Sequence, residues 1–156
     1  MMAGIRAKNT TPEIAVRKAL FAAGFRFRVH RKDLPGNPDI VLSRRKVAIF
    51  VHGCFWHQHP NCRYAKMPKT NQEFWAEKLR KNVLRDQQTK MELLRLGWRV
   101  LVVWECLTRS IKDKFSVGIE LKDWIDGAAV YGELSSEGFG SQKESVTKVS
   151  EQLLRP

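Results

Sequence analysis

The chain has 156 residues, 43% of them hydrophobic and 28% charged, which suits one globular domain around a single core. No apolar run reaches the roughly 20 residues of a membrane-spanning helix. The first nine residues carry Arg6 and Lys8 and no apolar segment, so no secretory signal is expected and a cytoplasmic location follows. The net charge of +12 is unevenly spread: residues 1–60 hold 11 Lys/Arg against 3 Asp/Glu, residues 61–112 hold 12 against 5, and residues 113–156 hold 5 against 8. A basic body with a mildly acidic end points to a polyanion, because cations placed on phosphates release condensed counterions. Nucleic acid is favoured over anionic lipid, since no lysine-rich amphipathic helix stands out. Three cysteines, an odd number, argue against a disulfide framework and leave metal ligation, catalysis or burial.

Along the chain, Thr10-Thr11-Pro12-Glu13 reads as a helix start, with Thr10 and Glu13 as a capping box or Thr11 capping ahead of Pro12. Val16, Ala19, Leu20 and Ala23 keep helical spacing, and Gly24 is a natural stop. Phe25-Arg26-Phe27-Arg28-Val29 alternates as a half-buried strand does. A Pro/Gly/Asn loop over residues 34–38 leads to Asp39, then to a hairpin of Ile40–Leu42 with Lys46–Val51, whose second arm lacks polar alternation, as a central strand does. Residues 52–71 are irregular and dense in His, Cys, aromatic and basic residues. Thr70 and Glu73 offer a second capping box before a long helix that ends at Gly97, and Trp98–Trp104 reads as a buried strand. Strand, helix, strand in this order predicts parallel pairing through a crossover. One more helix is expected over 111–125. From Gly127 to residue 156 the composition turns to Gly, Ser, Glu and Lys, which predicts a weakly ordered tail after a domain spanning 1–126. No internal repeat is evident. The fold class is therefore α/β, a mixed central sheet flanked by helices with functional groups at strand ends.

The chemistry concentrates in His52-Gly-Cys-Phe-Trp-His-Gln-His-Pro-Asn-Cys62, with three of the four histidines and two of the three cysteines. Cys54, His59 and Cys62, joined by Cys106 after the strand 98–104, offer three thiolates and one imidazole. That is the ligand set of a closed tetrahedral Zn²⁺ site, which would pin the loop to the sheet; the alternative is three buried thiols. Phe55 and Trp56 in this loop are either core aromatics or an apolar wedge that enters the base stack. Asp39, at a strand start and near His52 on the paired strand, suits a Mg²⁺ ligand, although most such Asp residues only cap turns.

The strings Leu34-Pro-Gly-Asn-Pro-Asp39, Phe50-Val-His-Gly-Cys-Phe-Trp-His57, Glu73-Phe-Trp-Ala-Glu-Lys78, Asn82 and Gly97-Trp-Arg-Val-Leu-Val-Val-Trp-Glu-Cys106 stand in order over residues 2–110. In this the chain resembles the very short patch repair (Vsr-type) DNA mismatch endonucleases. The resemblance implies a restriction-endonuclease-like fold. It implies Asp39 as the catalytic carboxylate on Mg²⁺, the Val51 carbonyl as a second Mg²⁺ ligand, His52 acting on metal-bound water, His57 as proton-transfer group or phosphate contact, and Glu13 in support. Structural Zn²⁺ would sit on Cys54, His59, Cys62 and Cys106, and Phe55 and Trp56 would intercalate beside a T·G mismatch. The implied reaction nicks double-stranded DNA 5′ to the mismatched thymine in a specific sequence context, beginning repair of deaminated 5-methylcytosine. Implied partners are duplex DNA with that mismatch and other repair proteins, for a monomer with no membrane association, in the bacterial cytoplasm at the nucleoid.

The chain departs from the family pattern in places. Val51 stands where the family can carry Thr, Gln58 interrupts a histidine run, Pro60 and Asn61 occupy a gap where one residue is expected, and the N-terminal arm is short. Two other readings compete: a restriction-type nicking nuclease without mismatch preference, and a zinc-stabilised DNA-binding module without catalysis.

Overall fold

The computed structural model describes residues 8–110 and 114–136. The N-terminal arm, the expected helix start at Ile111 and residues 137–156 of the expected tail lie outside these. Helix α1 (Thr11–Ala22) leads to strand β1 (Arg28–Val29), the hairpin β2 (Ile40–Leu42) and β3 (Val47–His52), helix α2 (Gln72–Arg95), strand β4 (Arg99–Trp104), helices α3 (Glu105–Ser110) and α4 (Lys114–Asp126), and strand β5 (Tyr131–Leu134). The five strands form one mixed sheet in chain order, antiparallel from β1 to β3 and parallel from β3 to β5.

Burial explains the pattern. The residues of β3 are buried on both faces apart from a partly exposed Val51, so the strand has no polar alternation to show. One face of the sheet, with Leu42, Val47, Ile49, Leu101, Val103 and Leu134, packs against Val16 and Leu20 of α1 and Val117, Leu121 and Trp124 of α4. The other, with Ala48, Phe50, Val100, Val102 and Trp104, packs against Leu93 of α2 and gathers Cys54 and Cys106. The β3–β4 register pairs Val51 with Val103 and His52 with Trp104, so two chain segments leave the sheet together at one edge.

The helix ends follow local chemistry, with one exception. The Thr10 side chain accepts the Glu13 N–H, but the Glu13 carboxylate takes the N–H of Asn9 in place of that of the cap residue. At α2 the expected Thr70–Glu73 box does not form: the cap is Asn71, in the left-handed region at φ 55°. That conformation costs Asn little, because its short polar side chain tolerates it. At the far end, Gly97 at φ 85° and the Trp98 N–H bonded to the Leu93 carbonyl close the helix with a reversal that glycine favours.

Two expectations need correction. Strand β1 is only two residues long; Phe25 is buried and Phe27 half-buried while Arg26 and Arg28 are exposed, so the alternation is real but the ladder is short. The stretch from Gly127 is not weakly ordered throughout, since Tyr131–Leu134 adds a parallel strand beside β4. Arg99 makes this possible: its guanidinium donates to the carbonyls of Trp124, Ile125, Gly127 and Ala129, tying the end of α4 and the approach to β5 to the start of β4. Leu134 is fully buried. Leu134→Ala should therefore cost about 2–5 kcal/mol in denaturant unfolding, against less than about 0.5 kcal/mol for a residue on a detached tail.

Candidate active site and metal centre

Asp39 enters β2 directly after Pro38, and its Oδ2 accepts the backbone N–H of Val51 at 2.8 Å. Strand β2 begins at Ile40, opposite Ile49, so Val51 lies beyond the ladder and its polar groups on that side are free of strand pairing. In an extended strand a residue's N–H and C=O leave on the same side, so the Val51 carbonyl lies on the Asp39 side. Glu13, 3% exposed, reaches the same place from α1. Its Oε2 accepts the Asn9 N–H at 3.0 Å, lies 3.1 Å from Arg17 Nη2 and 3.1 Å from His30 Nε2. One ligand atom each from Glu13, His30 and Asp39 can be chosen within 4.8 Å of one another. Burial pushes the Asp39 carboxyl up to about 6; the Val51 N–H opposes that shift, and the Glu13 charge adds to it.

His52 does not share that cluster. It stacks on His57, with ring centroids 3.8 Å apart and planes 5° from parallel. His57 Nδ1 lies 2.6 Å from Asp86 Oδ2, and because a carboxylate only accepts, the hydrogen of that bond sits on Nδ1. His52 is buried, and burial, reinforced by His57, holds its pKa well below the usual imidazole value, so it is neutral at physiological pH. The family resemblance implies one site of Asp39, Glu13, His52 and His57; the fold brings them together as two adjoining groups, with Val51 and His52 consecutive on β3 as the bridge between them.

Cys54, His59, Cys62 and Cys106 form the third group, again with ligand atoms within 4.8 Å. His59 Nδ1 is 3.6 Å from Cys106 Sγ, and the ring lies flat on Trp104 at 4.2 Å. The Cys54 thiol is pushed far up, by burial first and by the other sulfurs, so it ionises only when a cation compensates. Gln58 and Asn61 both take positive φ, 49° and 57°, and so reverse the backbone on either side of His59. The same turns separate the histidines: His59 faces the sulfurs and His57 faces His52. Glu105 holds the loop, accepting the Cys54 N–H at 3.1 Å.

Phe55 and Trp56 are half-buried and belong to neither core cluster. They meet edge to face at 5.2 Å, and each meets Trp75 of α2 in the same manner. Lys78 lies over Trp56, Trp75 and the 59% exposed Phe74. Asn82 Nδ2 donates to the Trp56 carbonyl at 3.1 Å and fixes the loop backbone beneath the rings.

The donor sets are chemically distinct. Three sulfurs with one imidazole match a closed Zn²⁺ site. The carboxylates of Asp39 and Glu13, with the Val51 carbonyl, are hard oxygen donors of the kind Mg²⁺ takes. Sequence reasoning missed His30, Asp86 and Glu105. His30 was detectable as the one histidine outside the 52–62 cluster, and Asp86 from its place one helical turn after Asn82.

The family model for DNA mismatch endonuclease Vsr matches residues 1–63. The type II nicking enzyme V.XorIIP of Xanthomonas oryzae pv. oryzae is 52% identical over 126 residues, covering 81% of this chain and 90% of its own length. The type II nicking enzyme V.NmeAIP of Neisseria meningitidis is 49% identical over 106 residues, covering 68% of this chain and 75% of its own. The DNA mismatch endonuclease Vsr of Escherichia coli is 40% identical over 140 residues, covering 88% of this chain and 89% of its own. With relatives this similar over nearly their whole length, the chain belongs to the Vsr family.

Proposed function

We propose that the protein is a DNA endonuclease that nicks one strand of a duplex 5′ to the thymine of a T·G mismatch. The observation that carries this reading is the convergence, at one end of the central strands, of a buried Glu13 with a half-buried Asp39, a stacked histidine pair held through His57 by Asp86, and a cluster of half-exposed aromatic rings. The site residues are Asp39, Glu13, His52 and His57, with Asp86 orienting His57.

Asp39, with the Val51 carbonyl, would hold Mg²⁺, which would supply charge neutralisation at the phosphate and lower the pKa of a water there. His52, buried and neutral at rest, brings no competing positive charge to the metal site, and it takes on positive charge only when it accepts a proton during the step. His57, oriented by Asp86, exchanges a proton at the attacking water or the leaving oxygen as the water oxygen bonds to phosphorus and the phosphodiester oxygen departs. Phe55 and Trp56 enter the stack at the wobble pair, which costs less to open than a matched pair. Cys54, His59, Cys62 and Cys106 would hold Zn²⁺, which would fix the loop that carries these rings. The enzyme works as a monomer in the cytoplasm, on chromosomal DNA and with other repair proteins.

A second reading has its own support, since relatives named type II nicking enzymes stand beside the mismatch endonuclease. Nicking without mismatch preference would cut matched and T·G duplexes at equal rates; the proposed function requires strong preference for T·G. Asp39→Ala should abolish nicking of a T·G duplex in Mg²⁺, a loss of at least about a thousandfold, with binding in a gel-shift assay largely kept. Retained cutting sinks the assignment.

The Asp39 carboxyl gives a pH signature. Its folded pKa of about 6 lies above the ordinary carboxylate value, so its contribution to stability is complete below about pH 4 and is lost as pH rises through 6. Added Mg²⁺ binds the ionised form and reverses the loss. Thermal melts should therefore show a larger Mg²⁺-induced rise in Tm at pH 7.5 than at pH 5, and Asp39→Asn should remove the difference. Removing the second metal should have a different effect: chelation of Zn²⁺, or Cys106→Ala, should lower Tm and slow nicking together, read by melting and a nicking assay on one sample.

A further inference from the structure

Beside Asp39 and Glu13 stands a nitrogen donor that the proposed mechanism does not use. His30 follows β1 at φ 51°, an uncommon conformation for a residue with a side chain, and it is held there by its N–H bonding to the Asp39 carbonyl at 3.1 Å. The turn carries the imidazole back over the hairpin, so that Nε2 sits 3.1 Å from Glu13 Oε2.

The contacts around that nitrogen do not fit together. Nε2 is 3.1 Å from a carboxylate oxygen, which only accepts hydrogen bonds, and 3.3 Å from Arg17 Nη2, which only donates. One imidazole nitrogen is either a donor or an acceptor, so only one of these approaches is a hydrogen bond. The guanidinium itself is incompletely satisfied, because its buried Nε has no hydrogen-bond partner among the described residues. Positive charge is wanted at this point, and Arg17 supplies it in an ill-fitting geometry. A metal ion bound jointly by the Nε2 lone pair and the carboxylates would remove the conflict, leaving Arg17 its bond to Asn9 Oδ1 at 2.9 Å.

Distances favour this. Ligand atoms of Glu13, His30 and Asp39 lie within 4.8 Å of one another. An octahedral ion with bonds of about 2.1 Å places adjacent ligands about 3 Å apart and opposite ligands about 4 Å apart. Small side-chain adjustments close the set.

We propose that His30 is a direct metal ligand, completing a Glu13–His30–Asp39 site that takes a first-row transition ion such as Mn²⁺ more tightly than Mg²⁺. The proposal rests on the reading of Asp39 as the cation-binding carboxylate. A neutral imidazole is a softer donor than water or carboxylate, and it adds affinity for transition ions that Mg²⁺ gains little from.

The test uses full-length protein with its zinc in place, loaded with Mn²⁺. Pulsed EPR should detect a directly bonded imidazole nitrogen, and that coupling should vanish in His30→Asn, a residue that also accepts the left-handed backbone. Mn²⁺ affinity should fall at least about tenfold in His30→Asn and again in His30→Gln, while Mg²⁺ affinity changes less than about threefold; melting curves equal to the parent's, with zinc bound and no Mn²⁺ or Mg²⁺ added, show that either variant folds. A nitrogen coupling that persists in both variants, or Mn²⁺ affinity equal to that of the parent, overturns the role of His30. If Asp39→Asn abolishes Mn²⁺ binding in that case, Asp39 keeps its assignment and only His30 loses its own. If Asp39→Asn binds Mn²⁺ as the parent does, the cation site itself is wrong and both readings fall.

Discussion

The parallel pairing of β3 with β4 is the constraint on which the rest of the molecule depends. It sets Val51 beside Val103 and His52 beside Trp104, residues about fifty positions apart in the chain. The loop and its anchors leave the sheet just beyond that pair: the segment from Gly53 on one side, Glu105 and Cys106 on the other. The hairpin partner β2 stops short at Ile40, which leaves the Val51 amide for the Asp39 carboxylate. A shift of one residue in this register would turn His52 from its pocket and carry Cys106 away from Cys54 and His59.

The same arrangement explains why the edge carries so much unrelieved electrostatic tension. Two carboxylates share a buried corner and Asp39 holds its proton more tightly than usual. Next to them an imidazole is kept neutral, and a thiol is kept protonated among other sulfurs. Each shift has burial as its leading cause; positive charge brought from outside relieves those of the carboxyl and the thiol, and keeps the imidazole neutral. The folded chain is poised to take up cations, and its basic surface is poised to meet a polyanion.

Much of this was legible in the sequence. The uniformly apolar run 47–51 marked a central strand, and the strand–helix–strand order marked parallel pairing with β4. The Cys/His spacing named the three residues that gather around Cys106. What escaped depended on backbone reversals and distant side chains. His30 joins the Asp39 corner only because of its left-handed conformation, which no spacing rule encodes. Asp86 becomes a partner of His57 only once α2 lies across that face of the sheet. Strand β5 was hidden because its residues sit in a Gly- and Ser-rich stretch, and the four carbonyl contacts of Arg99 that position it join segments 25 to 30 residues apart.

Glu105 and Cys106, the residues that grip the loop, come directly after β4. During synthesis on the ribosome, the segment carrying His52 through Cys62 therefore emerges long before its anchor. Until residue 106 has cleared the exit tunnel, the loop has neither its last sulfur nor the carboxylate that holds the Cys54 amide. A nascent or truncated N-terminal half carries most of the reactive side chains yet lacks the means to arrange them.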